Sequence, residues 1–153
     1  MTIKELLEQF LRMYPKTKRN NKLRYRGAYD LVSSLGKNWS TEVSDILVPK
    51  GMKKQCYRNA ANAAWAYKNL RYVEGFALFM GMPISHAWIV DEYDRVVDST
   101  WDKKSEEYFG VAFSTKFLSA IAFKTGMYGL IPDMPSKKFD PYLNGYPKYA
   151  ILK

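Results

Sequence analysis

Hydrophobic residues at the start of the chain recur every three or four positions, which is the spacing of one face of an α-helix. Thr2 and Glu5 form a capping box in front of this pattern, and Pro15 follows it as a helix breaker. Gly36 closes a second run with the same spacing. The pattern predicts three helices, at residues 2–13, 28–35 and 40–47.

The middle of the chain begins with one more helical segment and then changes to strand spacing. Residues 56 to about 69 are rich in alanine, the strongest helix former, and Cys56 opens this segment. Alternating apolar and polar residues follow, rich in β-branched and aromatic side chains. They predict an antiparallel meander of strands at residues 72–80, 84–90 and 95–99. A helix at 114–124 and an edge strand at 148–153 follow.

The composition is that of a folded domain. The chain has 153 residues, of which 47% are hydrophobic and 16% aromatic, which is enough for one core without disulfides or metals. We expect a single α+β domain with a helical N-terminal lobe at about 1–50 and a core at about 51–125. A C-terminal extension at about 126–153 returns to the sheet.

The cysteine content bears on the cellular compartment. Cys56 has no second cysteine in the chain with which to form a disulfide, which favours a reducing environment. The first residues contain no apolar signal segment, and no apolar run approaches the roughly 20 residues of a membrane span. We therefore expect a cytoplasmic protein without a membrane partner.

The net charge is strongly positive. Lys and Arg outnumber Asp and Glu by 24 to 15, which gives +9 at pH 7. Cations interleaved with aromatics suit an acidic partner or a nucleic acid, although the same residues also occur on a simple solvated surface. The basic segment, residues 16–26, carries Lys16, Lys18, Arg19, Lys22, Arg24 and Arg26.

The chain contains one cysteine and one histidine, Cys56 and His86, and Asp98 follows on the next predicted strand. Taken singly, each has an ordinary explanation: a buried thiol, a satisfied imidazole, or an acid that caps a turn. Taken in this order, a thiol nucleophile, an imidazole base and an orienting carboxylate are the parts of an acyl-transfer site. The sequence therefore predicts a catalytic triad.

The start of a helix suits a cysteine nucleophile. The helix dipole and the unpaired N–H groups of the first turn favour a thiolate, and a neighbouring imidazolium favours it further. The backbone N–H of Cys56 can stabilise the oxyanion of a tetrahedral intermediate, helped by the Gln55 amide or by a tryptophan N–H. The sequence leaves this second donor open.

The register of the two predicted strands decides whether the histidine and the aspartate meet. A turn centred on residues 92–93 places His86 opposite residue 99, so Asp98 falls one step away. A bulge or a shift by one residue brings the two side chains together. We therefore predict proximity and not a particular hydrogen bond.

Further residues are candidates for the mouth or walls of the site. Asn59 lies one helical turn after the cysteine. Glu74 lies on the strand before the histidine strand, where a carboxylate can orient a substrate amine, hold a loop, or simply be exposed. Trp88, Trp101 and the segment Tyr108-Phe109-Gly110 supply aromatic walls. One cysteine and one histidine are too few for a zinc site, and the glycines match no nucleotide fingerprint, so we expect no metal and no cofactor.

The sequence around the triad resembles an enzyme family. A cysteine that opens a helix, then His-Ala-Trp from His86, then Asp-x-Thr-Trp from Asp98, is similar to the core of the transglutaminase-like branch of papain-like cysteine enzymes. The resemblance covers residues 55–101 and assigns the roles of nucleophile, base and orienting carboxylate to Cys56, His86 and Asp98. It implies an α+β fold in which the cysteine-bearing helix packs on a small antiparallel sheet.

That family hydrolyses peptide or isopeptide bonds, deamidates glutamine or transfers acyl groups to amines, and some members have lost the triad. We therefore expect a cysteine-dependent amide hydrolase or acyltransferase that acts through a thioester on a protein, peptide or other amide-bearing substrate. A thiol protease, isopeptidase, deamidase and transglutaminase-like enzyme all fit this description. The alternative is a non-catalytic binding protein, with nucleic acid bound at the basic segment 16–26.

Overall fold

The computed structural model describes residues 1–14, 16–18 and 20–153. Pro15, the predicted end of the first helix, and Arg19 of the basic segment lie outside the described residues. Helices and an antiparallel sheet confirm the α+β class. The elements in chain order are α1 (Ile3–Met13), α2 (Ala28–Leu35), β1 (Lys37–Trp39), α3 (Cys56–Ala66), β2 (Arg71–Phe79), β3 (Met82–Val90), β4 (Val96–Val97), β5 (Tyr108–Phe113), α4 (Thr115–Thr125), α5 (Pro141–Asn144), a 3-10 turn (Lys148–Ala150) and β6 (Ile151–Leu152).

The end signals of the helices act as predicted. The Thr2 hydroxyl accepts the N–H of Glu5 at 3.1 Å, and the Glu5 carboxylate accepts the N–H of Thr2 at 2.8 Å, which completes the capping box of α1. Gly36 directly follows α2. Helix α3 is three residues shorter than predicted, because Tyr67 takes an extended conformation and begins a turn.

The predicted helix over residues 40–47 is wrong, and most of this segment is irregular. The backbone of Ser40 donates to Asp94 O at 2.9 Å and accepts from Val96 N at 2.8 Å. The hydroxyl of Ser44 donates to the Asp91 carboxylate at 2.5 Å and accepts from Ile46 N at 3.2 Å. These hydrogen bonds to the β3–β4 turn replace those of a helix, and local apolar spacing does not reveal them.

The strands of the sheet run in the order β1-β5-β2-β3-β4, with antiparallel pairing. Strand β1 pairs with the first three residues of β5, and β6 pairs with its last two. The predicted meander of β2, β3 and β4 is confirmed, as is the C-terminal edge strand in shorter form. Strand β5 was not predicted, although it pairs with β1, β2 and β6. All its residues are buried, so it shows none of the alternation by which strands are identified.

Both faces of the sheet are covered by apolar side chains. On one face the alanines of α3 and residues of α1 and α2 pack on Tyr72, Phe76 and Ile89. On the other face lie Trp88 and Tyr108 with smaller aliphatic residues. Alanine at the helix–sheet contact allows the close approach that sets the start of α3 beside the sheet. Among the described residues, no helix is both long and apolar enough to cross a lipid bilayer.

Strands β2 and β5 leave no room for a side chain where two glycines face each other. Gly75 and Gly110 are direct partners across the two strands. A Cβ added at Gly110 would lie 2.5 Å from Glu74 O and 2.8 Å from the Trp88 ring. Main-chain atoms cannot move aside as a flexible side chain can, so this position requires glycine.

We expect Gly110→Ala to lower the free energy of unfolding by about 2 kcal/mol through overpacking, which for a domain of this size lowers the melting temperature by roughly 4–8 °C. Urea and thermal denaturation measure both quantities. Ser85→Ala, at an exposed position of β3, is the control and should change stability by less than about 0.5 kcal/mol. A Gly110→Ala protein as stable as the control would contradict the close approach.

Candidate active site

Cys56 is the first residue of α3 and is half-buried. The chain enters the helix through Lys54, whose φ of 65° is left-handed, and through Gln55 at the N-cap. Gln55 makes no side-chain capping bond, and no other side chain in the described part of the chain accepts from the first-turn N–H groups. The cysteine therefore lies where backbone donors and the helix dipole favour an anion.

His86 and Asp98 meet in the interior of the protein. The imidazole Nε2 lies 2.8 Å from the Asp98 Oδ2, and both side chains are almost fully buried. Ile89 pairs with Val97 and Val90 pairs with Val96, which is a shift of one residue from the predicted register. That shift brings Asp98, just beyond β4, to the same face of the sheet as His86.

The carboxylate of Asp98 accepts hydrogen bonds at both oxygens. Its Oδ1 accepts the backbone N–H groups of Thr100 and Trp101, each at 2.9 Å, while Oδ2 accepts the Tyr108 hydroxyl at 2.8 Å as well as the imidazole. Burial opposes ionisation, but the hydrogen bond and charge of His86 and the two backbone donors outweigh it and lower the pKa of Asp98. The carboxylate is therefore ionised at neutral pH.

The imidazole of His86 interacts with two partners. Burial lowers its pKa, but the hydrogen bond and charge of Asp98, together with the nearby Cys56 thiol, outweigh burial, so the pKa of His86 is raised. Because Nε2 is bound to Asp98, Nδ1 is the ring nitrogen left for the thiol. The structure thus joins His86 to Asp98 and places Cys56 near enough to affect the pKa of the imidazole.

Two tryptophans flank the imidazole. The Trp101 ring stacks on His86 with a centroid distance of 3.9 Å and an interplanar angle of 15°. Trp88, two residues along β3, lies 6.1 Å away and is wholly buried, so its N–H does not face a substrate. Phe79 lies 6.1 Å from Trp101 at the outer side. These rings exclude water from the His86–Asp98 pair, which strengthens it.

The loop after Asp98 is tied to the segment that precedes α3. The Asn59 amide donates to Met52 O at 2.8 Å and to the Thr100 hydroxyl at 2.9 Å. The Lys50 ammonium donates to Asp98 O and, at 2.7 Å, to Trp101 O. Asn59, predicted at the mouth, therefore joins the cysteine helix to the aspartate loop. Nothing in the sequence around Lys50 indicates its contact, because it forms only when distant segments meet.

Gln55, at the N-cap of α3, is the candidate second oxyanion donor nearest in sequence to the cysteine. It is exposed and directly precedes the cysteine, and its amide has no hydrogen-bond partner within the described residues. Its backbone N–H donates to Met52 O at 3.3 Å, so only the side chain is available. Of the two tryptophans that the sequence offers as alternatives, Trp88 is wholly buried, whereas Trp101 is half-buried and stacks on His86.

Glu74 is buried, so the expectation of an exposed strand carboxylate is wrong. Its oxygens accept the backbone N–H groups of Leu130 and Ile131, the latter at 2.9 Å, and the hydroxyl of Tyr72 at 2.7 Å. Burial raises the pKa of Glu74 to about 7, and the hydrogen bonds limit this rise. Glu74 holds a loop, which is one of the roles expected for it, and has no oxygen left for a substrate.

Two arginines of the basic segment make contacts within the protein. Arg26 is half-buried and donates to Tyr14 O at 2.9 Å, while its backbone N–H donates to Asp30 at 2.9 Å. The Arg24 side chain lies against Gly145. The described lysines of the segment are exposed. Part of the segment therefore serves packing, and the rest forms a charged surface.

Within the described residues, no group of three or more His, Cys, Asp or Glu side chains is arranged to hold a metal ion.

Comparison with protein-family models, with curated proteins and with solved structures finds no match to this chain. The chemistry of the site therefore has to be argued from its own geometry.

We expect the pKa of His86 to lie above its ordinary value in the wild-type protein and to fall in Asp98→Asn, where burial is no longer opposed by a carboxylate. His86 is the one histidine in the sequence, so a proton NMR titration of the ring reports it without ambiguity. Asp102→Asn, an exposed acid in the same loop, should leave the pKa of His86 unchanged. Identical titrations of wild type and Asp98→Asn would contradict the pair.

Glu74 should make stability depend on pH. The pKa of Glu74 rises from 4.5 in an ordinary glutamate to about 7. Between these two pH values the native state therefore keeps a proton that the unfolded chain has lost. The free energy of unfolding should therefore fall as pH rises from about 5 to 7. In Glu74→Gln this fall should be smaller by roughly 1–3 kcal/mol, measured by urea denaturation. Exposed Glu92→Gln is the control, and equal slopes in all three proteins would contradict the assignment.

Proposed function

We propose that this protein is a cysteine-dependent amide hydrolase or acyltransferase whose catalytic residues are Cys56, His86 and Asp98. One observation carries the proposal: a single buried imidazole is hydrogen-bonded through Nε2 to a buried carboxylate, and a half-buried thiol at the start of a helix lies near enough to raise the pKa of that imidazole. A structural role does not require this combination, whereas nucleophilic catalysis does.

The arrangement of elements also supports the resemblance to the transglutaminase-like branch of papain-like enzymes. The cysteine opens α3, which packs on an antiparallel sheet, the histidine lies on β3, and the aspartate directly follows β4. Each member of the proposed triad therefore occupies the kind of element that the family uses for it. We include this affiliation in the proposal, together with a cytoplasmic location suited to an unpaired cysteine.

The reaction begins when the Cys56 thiolate attacks the carbonyl carbon of a substrate amide. The oxyanion that forms is stabilised by the Cys56 N–H and by the Gln55 side-chain amide. The His86 imidazolium then donates its proton to the leaving amine as the C–N bond breaks, which leaves a thioester. Water or an amine next attacks the thioester, His86 accepts the proton of this nucleophile, and the acid or new amide is released with the thiolate restored.

Asp98 and its hydrogen-bond donors keep the imidazole in place through both steps. Oδ2 holds the Nε2 proton, so the ring presents Nδ1 to the thiol. Trp101 covers the ring face at 3.9 Å and limits its rotation. An ionised carboxylate in a dry environment stabilises the imidazolium that exists before the leaving amine is protonated. These residues thus supply orientation as well as charge.

Alkylation of Cys56 by iodoacetamide tests the proposal, because this is the single cysteine in the sequence. An ordinary thiol is only about 1% ionised at pH 6.5. A cysteine that shares its proton with an imidazole reacts faster, and we expect His86→Ala to reduce the rate at pH 6.5 by about tenfold or more. Rates measured from pH 5 to 9 give the full profile.

His86→Gln preserves side-chain volume and shows whether loss of the imidazole or loss of folding causes the effect. Ser85→Ala, the exposed neighbour of the histidine, should react like wild type. With p-nitrophenyl acetate as a simple acyl donor, intact mass spectrometry should detect an acetyl thioester on wild type and none on Cys56→Ala. A profile that follows an ordinary thiol and is unchanged in both His86 variants would overturn the proposal.

A further inference from the structure

A groove of about 430 Å³ lies beside the first turn of α3. One wall is Tyr57, the residue that follows the proposed nucleophile, and the others come from the segment 125–139. Volumes of this size accommodate a long side chain or a small ligand. Nothing in the proposed triad chemistry uses this groove.

The walls of the groove combine aromatic rings with one carboxylate. Tyr57, Tyr128 and Phe139 contribute rings, and two methionines add soft apolar surface. Asp133 is the one charged side chain among the lining residues. In the described part of the chain it belongs to no ion pair, although Lys137 and Lys138 are close in sequence. An anionic group in an aromatic environment matches the chemistry of cation recognition.

The groove extends towards the strands beside the proposed triad. Tyr57 and Asp133 also line a narrow slit that reaches Gly75 and Ser85 on β2 and β3. Gly75 is the cross-strand partner of His86, and Ser85 is its neighbour in sequence. Burial raises the pKa of Tyr57, and charges near its hydroxyl raise it further, including those of Cys56 and Asp133. A substrate group in the groove would therefore contact Tyr57, the residue that directly follows the proposed nucleophile.

The base of the groove is held in place by buried hydrogen bonds. Glu74 accepts the N–H groups of Leu130 and Ile131, and the Tyr142 hydroxyl donates to Pro132 O. The Tyr146 hydroxyl donates to Leu130 O at 2.6 Å. The backbone before Asp133 is thereby anchored to the sheet and to the C-terminal segment. A preformed site of this kind loses little conformational entropy when a ligand binds.

We propose that this groove binds a cation carried on an aliphatic stem, the side chain of an arginine or lysine next to the reactive amide of the substrate. The stem packs on the methionines and rings, and the charged end pairs with Asp133. The net charge of +9 does not attract cations over long range, so selectivity comes from contacts within the groove. An ammonium paired with Asp133 stays protonated, so it serves recognition and not attack on the thioester. This inference about the groove rests on the proposed function only for the position of the substrate amide, which the proposed function places at Cys56.

Binding of Nα-acetyl-arginine methylamide to Cys56→Ala tests the groove without any need for turnover. The neutral citrulline analogue has nearly the same shape and is the matched ligand. NMR titration should show shifts at the methyl groups of Met127 and Met134, and arginine should bind about threefold or more tightly than citrulline. Asp133→Asn should remove the preference, while Glu92→Gln, an exposed acid on another turn, should retain it.

Equal affinity for arginine and citrulline, or a preference that survives Asp133→Asn, would overturn this proposal whatever the alkylation experiment gives. Arginine binding that depends on Asp133 supports the groove even if Cys56 proves unreactive in the wild-type protein, in which case the proposed catalytic function alone fails. The two experiments therefore distinguish failure of the groove from failure of the triad.

Discussion

Asp98 carries a negative charge inside the protein, where an unpaired charge costs several kcal/mol. Both its oxygens are compensated, Oδ1 by two backbone N–H groups of its own loop and Oδ2 by the Tyr108 hydroxyl and the His86 imidazole. This requirement fixes the end of β4, the course of the following loop and the orientation of the histidine together. The triad geometry is therefore a consequence of satisfying one buried carboxylate.

Two donors to Asp98 come from other strands, His86 on β3 and Tyr108 on β5, so the sheet and its packing have to be complete before the carboxylate is satisfied. Tyr108 lies on β5, which is two strands away from His86 in the sheet order. Asn59 and Lys50 then join the same loop to the cysteine helix and to the segment before it. Packing of α3 through its alanines sets the remaining distance between helix and sheet. Site geometry and fold stability thus depend on the same contacts.

A second buried carboxylate, that of Glu74, fixes the loop near the first turn of α3. Glu74 holds the loop at residues 130–131 from within the core, where burial keeps its pKa near 7. The groove lined by Tyr57 and Asp133 lies along that loop. The two acids thus have different environments: the hydrogen bond to His86 helps to lower the pKa of Asp98, whereas Glu74 has only neutral donors and burial raises its pKa. Asp98 orients the imidazole of His86, whereas Glu74 stabilises the loop at residues 130–131.

The sequence by itself determined the α+β class, the capping box of α1 and the glycine that follows α2, and it singled out Cys56, His86 and Asp98 as a candidate site, because capping, alternation and residue type act locally. It did not reveal β5, whose uniformly apolar residues carry no period, and it placed a helix at 40–47 where contacts with the β3–β4 turn prevail. Only the tertiary structure decided the strand register that joins His86 to Asp98, the burial of Glu74 and the supporting contacts of Tyr108. These depend on pairing between distant segments, and local pattern does not encode a pairing that long-range packing selects.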